Sequence, residues 1–209
     1  MDIAIPLYDR FTALDAVGPY EVLSRLPGAR VTFLAREPGP VTTDNGMLTL
    51  TAESALEDLP RPGLVLVPGG PGARDLLDDE PMLAWIRDAH EHSDWTTSVC
   101  TGSLLLGAAG VLDGLEATSH WLELETLGGF GARPTGRRVV EQGKVVTSAG
   151  VSSGIDMALV LAARIAGEDF AKAVQLMIEY DPEPPFDSGS TDKAAPELVR
   201  TIRERVAGS

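Results

Sequence analysis

Residues 64–67 read Leu-Val-Leu-Val and run directly into Pro-Gly-Gly-Pro-Gly at 68–72. Four apolar side chains in succession, with no polar alternation and a turn signal at the end, read as a strand buried on both faces. Strands of that kind belong to parallel sheets covered by helices. Further short strands are read in "DIAIPL" (2–7), "RVTFLAR" (30–36) and "DWTTSV" (94–99). Between and after them, "PMLAWIRDAHEH" (81–92) and "GSLLLGAAGVL" (102–112) space their apolar residues for helices. The alternation of strand and helix predicts an α/β fold, a parallel sheet with helices on both faces.

Finer signals fill in the pattern. In "FTALDAVGPYEVLSRLPG" (11–28), proline is tolerated in the first helical turn and disruptive further in, so the main helix is expected to begin around Gly18-Pro19 and to stop at Gly28. Asp15 then stands at a helix entrance. Asn45-Gly46, in "VTTDNGMLTL", signals a two-residue hairpin, and "RRVVEQGKVVTS" a second hairpin around Gln142-Gly143. "SSGIDMALVLAARIAG" and "DFAKAVQLMIEY" read as helices, and a Pro-rich stretch at 180–190 precedes a last polar helix, "APELVRTIRERVA". No composition break or repeat divides the chain, so residues 1–209 are expected to form one domain.

Charge and cysteine content narrow the function. The chain carries 17 basic and 31 acidic residues, a net charge of −14, which repels phosphate backbones and anionic membrane surfaces; nucleic acid is an unexpected partner. A single cysteine forms no internal disulfide, which fits a reducing cytoplasm. The amino terminus lacks a basic region and breaks its apolar run at Pro6, and the later apolar stretches carry charges, so neither an export signal nor a membrane span is expected.

That cysteine, Cys100, lies between the strand "DWTTSV" and the helix "GSLLLGAAGVL". A side chain on such a turn projects into the crevice where open α/β sheets place their ligands. The helix N-terminus offers N–H groups and a partial positive charge that favour the thiolate. The Thr101 amide would point at an anion formed on a substrate, and Gly69 or Gly70 of the neighbouring loop would supply a second amide donor. From position alone, Cys100 reads equally well as a small buried hydrophobe, and Asp15 as a helix-start carboxylate. "PGGPG" matches neither nucleotide-binding glycine pattern. His90 and His92 end an amphipathic helix, are expected to face solvent and have no assigned role. His120 is the histidine available to Cys100, in a structural or a catalytic capacity.

Four blocks, "LDAVGPYEVL", "LVLVPGGPGARDLL", "SVCTGSLLLGAAGVLDGLEATSHW" and "VVTSAGVSSGIDMALVL", resemble in order the ThiJ/PfpI superfamily. The resemblance implies a flavodoxin-like sheet of the class I glutamine amidotransferase type, with Cys100 on the strand-to-helix nucleophile turn and Asp15 as the acidic residue that holds it. Proteases and deglycases of the superfamily carry glutamate at the acidic position, and the proteases carry histidine after the cysteine; here Asp15 and Thr101 stand instead. Asp15, "GPYEVL" and "CTGS" are shared with isocyanide hydratases and with the sensor domains of AraC-type regulators. Those regulators continue into a basic helix-turn-helix region; with the sequence ending at Ser209, no DNA-binding region is expected here.

The resemblance therefore implies an isocyanide hydratase, with a small apolar isocyanide as substrate. Cys100 would add to the terminal carbon, Asp15 would handle the proton, and Thr101 and Gly70 would contribute amides. His120 would give a supporting hydrogen bond. A raised Asp15 pKa is expected, from burial beside an anionic sulfur. No metal or organic cofactor is implied, and a homodimer is. Two rival readings are a cysteine-based redox sensor and a glyoxalase or deglycase of the same superfamily.

Overall fold

The Leu64–Val67 run is buried along its whole length and sits near the middle of a seven-stranded sheet. The computed structural model describes residues 1–207. In chain order, β1 (Asp2–Pro6) leads through α1 (Ala13–Leu23) to β2 (Arg30–Ala35), followed by a hairpin of β3 (Gly39–Thr42) and β4 (Thr49–Ala52) and by the short β5 (Ser54–Ala55). Then come β6 (Leu64–Val67), a 3-10 turn at Pro71–Leu76, α2 (Glu80–His92), β7 (Trp95–Val99) and α3 (Gly102–Ala108). A small excursion of β8 (Glu116–Ala117), α4 (Leu124–Gly128) and β9 (Arg133–Pro134) precedes the hairpin β10 (Val139–Gln142) and β11 (Val145–Ser148). The helices α5 (Ser153–Ala166), α6 (Glu168–Met177) and α7 (Pro196–Ala207) complete the order.

The sheet runs β10-β11-β7-β6-β1-β2-β5, parallel throughout except for the β10–β11 edge pair. The chain steps from β1 to β2 on one side and returns to β6 on the other, so the crevice beside β1 is a topological switch point, where α/β sheets gather ligands at the carboxyl ends of their strands. Helix α5 packs against α1 and α6, while α3 packs against α2 and α4. This is the helix-covered parallel sheet that the strand and helix alternation predicts, in the flavodoxin-like arrangement that the resemblance implies. No helix among the described residues is long and apolar enough to cross a membrane.

Two expectations are corrected. Helix α1 starts at Ala13 and runs through Pro19, placing Asp15 in its first turn. The backbone bond lost at the proline is offset by packing: Gly18, Pro19, Val22 and Leu23 are buried, and a Cβ on Gly154 of α5 would come within 2.9 Å of Pro19 Cγ. Asn45-Gly46 lies inside a longer connection, because the ladder closes at Thr42–Thr49 and extends only through the Thr43 amide to the Leu48 carbonyl, 2.9 Å. The Asn45 side chain accepts from the Met47 amide, a local turn that opens the loop. The second hairpin, turning at Gly143-Lys144, has the expected short connection.

By contacts the chain forms two compact units, Met1–Ile178 and Glu179–Ser209. The first contains the sheet and the entire apolar core. In the second, no described residue is buried, and α7 exposes Leu198, Ile202 and Val206 along one stripe.

Candidate active site

Strand β7 delivers Cys100 at its carboxyl end, and the turn into α3 places that residue at φ +57, a left-handed conformation that costs a non-glycine residue on the order of 1–3 kcal/mol. Its surroundings hold it there. The Cys100 amide donates to the carbonyls of Ser148 (3.0 Å) and Ala149 (3.1 Å) at the end of β11. Its carbonyl accepts from the hydroxyls of Ser103 (3.0 Å) and Ser119 (3.1 Å).

Asp15 comes from α1 and is fully buried. The Gly69 amide donates to its Oδ2 at 3.0 Å, and the thiol of Cys100 faces the same carboxyl. Oδ1 closes no bond of acceptable hydrogen-bond geometry with any described protein atom, so a buried oxygen is left open beside the sulfur. The glycine is obligatory: a Cβ at position 69 would lie 2.5 Å from the Thr101 nitrogen and 2.8 Å from Asp15 Oδ2. Thr101 is tied to the same loop, its hydroxyl accepting from the Gly70 amide at 2.8 Å and donating to the Gly70 carbonyl at 3.1 Å.

Burial dominates the electrostatics. It pushes the Asp15 carboxyl up to about 7, partly opposed by the bonds from Gly69 and Cys100. Burial first, and the Asp15 charge second, hold the Cys100 thiol well above its ordinary range, although the Thr101 amide pulls the other way. A thiolate favoured by the helix N-terminus is therefore not what the structure shows. The helix end contributes, and desolvation outweighs it. Near neutrality the Cys100 thiol keeps its proton while Asp15 is midway through losing its own, and the two act as one titrating unit.

The other expected residues are placed less simply. Gly69 and Gly70 flank the pair, but their amides are engaged with Asp15 and Thr101 instead of standing free as anion donors. His120 makes no hydrogen bond to Cys100 among the described residues. Its Nδ1 accepts from the Leu122 amide at 3.4 Å, its ring tilts against Trp121, and a side chain at Gly150 would collide with it. Burial lowers the His120 pKa; the Glu123 charge opposes this and the Arg74 charge adds to it. His90 is half-buried, its Nδ1 2.8 Å from Thr96 Oγ1, not on the solvent face. Among the described residues one cluster of possible metal ligands occurs, Asp88, Glu91 and His92 on the last turns of α2, away from the cysteine-bearing end of β7.

Two residues escaped the sequence. Tyr8 is buried, with its hydroxyl donating to the Pro68 carbonyl at 2.7 Å, and its phenol is raised well above the usual range by burial and by the nearby Asp15 and Cys100. Ser119 directly precedes His120 and holds the Cys100 carbonyl. Its position beside a singled-out histidine is the one signal that pointed toward it.

A parallel sheet with a strained cysteine on the central strand-to-helix turn, faced by an acid from the first helix, defines a class. The chain belongs to the DJ-1/PfpI family, whose family model matches residues 1–164. Within that class, the chain is 44% identical over 209 residues to an isonitrile hydratase from Pseudomonas putida, covering 100% of this chain and 91% of that protein. A solved ThiJ/PfpI family protein from Pseudomonas syringae superposes with a TM-score of 0.95 at 38% identity, over 99% of this chain and 86% of the other. The chain is also 31% identical over 180 residues to an HTH-type transcriptional regulator from Pseudomonas aeruginosa, but spans only 52% of that longer protein.

Proposed function

We propose that the protein is an isocyanide hydratase, adding water to an isocyanide to give an N-substituted formamide. The observation that carries this reading is the buried Asp15–Cys100 pair with its open Oδ1, in a chain similar from end to end to an isonitrile hydratase.

The terminal carbon of an isocyanide accepts both a nucleophile and a proton. Ionised Asp15 takes the thiol proton as the Cys100 sulfur bonds to that carbon, and returns the proton to the carbon, giving a thioimidate, R–N=CH–S–Cys100. Water then adds to the same carbon while the nitrogen is protonated, with Asp15 again serving as base and acid. Collapse of the adduct breaks the carbon–sulfur bond and releases R–NH–CHO with the thiol restored. An acid of pKa about 7 suits both directions of transfer. The Thr101 amide approaches the sulfur and stabilises charge on it.

The glyoxalase or deglycase reading needs a Cys–His pair, and no bond joins His120 to Cys100. The redox-sensor reading needs a ready thiolate, which burial disfavours. We place the enzyme in the cytoplasm as a homodimer. The lone cysteine supports the first, and the exposed Leu176 and Met177 of α6 together with the α7 stripe support the second. The test is conversion of an aryl isocyanide to its formamide by the purified protein with its thiol reduced. Turnover that vanishes in Cys100→Ala supports the assignment; no turnover by the native protein removes it.

A further inference from the structure

The carboxyl edge of the sheet holds a second cleft that the cysteine site does not use. It measures about 400 Å³, within the range of small-molecule sites. The segments leaving β1 and β2 form its sides, and the 3-10 turn after β6 closes it, which puts it at the switch point of the sheet. Its floor is apolar: Leu7, Val41, Leu56 and Met82 line it, and each is under one-tenth exposed.

The charges around it are unbalanced. Asp75 pairs with Arg10 at 2.5 Å, and Asp79 pairs with Arg36, whose Nη2 reaches both carboxylate oxygens at 2.8 and 2.6 Å. Asp9 and Glu37 also line the cleft, and neither side chain makes a hydrogen bond or ion pair among the described residues. Both guanidiniums are already ion-paired and two carboxylates are not, so the cleft carries an excess of negative charge and offers a cation two acceptors above an apolar floor.

We propose that this cleft binds a small organic ammonium, a protonated primary amine with a short hydrocarbon body. The ammonium lies between Asp9 and Glu37, and the hydrocarbon covers Leu7, Val41 and Met82. The wall toward the cysteine site is the Tyr8 ring, whose hydroxyl holds the Pro68 carbonyl on the other side. The site is separate from the Asp15–Cys100 pair and does not depend on the hydratase reading.

Calorimetric titration of the native protein with n-pentylammonium, and in parallel with 1-pentanol, tests it. Saturable one-to-one binding of the ammonium, clearly tighter than that of the alcohol and weakened by added salt, is expected. The double variant Asp9→Asn/Glu37→Gln, at two exposed positions, weakens binding roughly three- to tenfold, and Val41→Trp, which fills the floor, removes it. Alkylation of Cys100 leaves binding unchanged. No saturable binding, equal affinity for the alcohol, indifference to the double variant, or loss on alkylation of Cys100 each overturns the proposal.

Discussion

At the amino end of β7, Thr96 bonds to His90 at 2.8 Å and to Ser93 at 3.0 Å, and Lys144 donates to the carbonyls of His90 and Ser93 that end α2. At the carboxyl end, four residues on, Cys100 is twisted into a left-handed turn and Asp15 Oδ1 is left without a bond. Both ends are polar, both carry buried hydroxyls, and each has a histidine nearby. The amino end satisfies every group it buries and places a cation at a helix C-terminus, where the dipole favours it. The carboxyl end stores strain and leaves a lone pair open, which folding alone would not retain. The difference separates a structural polar cluster from a reactive one, and residue type does not: histidine, serine and threonine occur in both.

The comparison is sharpened most by Cys100→Ala. Turnover of isocyanide should fall by at least roughly 10³-fold, because the nucleophile itself is gone; formamide production within tenfold of native would mean the strained end is not where the chemistry happens. Asp15→Asn follows, with kcat/KM down about 10²–10⁴-fold. In the native enzyme kcat/KM should climb as pH rises through about 7, where Asp15 loses its proton, and the variant should lose that limb.

The same group makes a claim about stability. A carboxyl raised from 3.8 to about 7 binds its proton more tightly when folded, so its stabilising contribution is complete below 3.8 and is lost as pH climbs to about 7. Asp15→Asn should therefore melt above the native protein at pH 8 and gain less at pH 5; thermal melts at the two pH values showing the reverse order would refute a buried, reluctant carboxylate.

Smaller effects follow. Ser119→Ala removes one of the two hydroxyls on the Cys100 carbonyl and should lower kcat by about fivefold with KM little changed, the net worth of one hydrogen bond. At the other end, Lys144→Met should lower Tm by roughly 2–4 °C and leave turnover untouched. A loss of activity there would erase the distinction between the two ends.

The sheet was legible because its central strands are unbroken apolar runs, and those runs have one stable home. Cys100 was legible because strand-to-helix turns of a parallel sheet face the ligand crevice. Asp15 came through the family resemblance, since a carboxylate in a first helical turn is otherwise an ordinary cap. Tyr8 was not legible: its partner Pro68 lies 60 residues away, and no local pattern announces that bond. The amides of Gly69 and Gly70 were read as free donors because sequence shows which positions permit close approach and is silent on what already occupies them. The helix through Pro19 was missed for a related reason, because a local penalty was weighed without the α5 surface that offsets it.

Pro19 has one more consequence. Its missing N–H is the one that would have bonded to the carbonyl of Asp15, four residues back, and its ring crowds that same carbonyl. Helix α1 is thus least stiff at the residue that carries the acid. A small excursion of Asp15 toward or away from the sulfur loads only the bond from its amide to the Thr12 carbonyl, 3.1 Å, so the restoring force on the proton carrier comes from that bond, the Gly69 amide and the packed walls of the site. In mechanical terms the acid is mounted on a compliant joint, while the cysteine it serves is clamped at both its amide and its carbonyl.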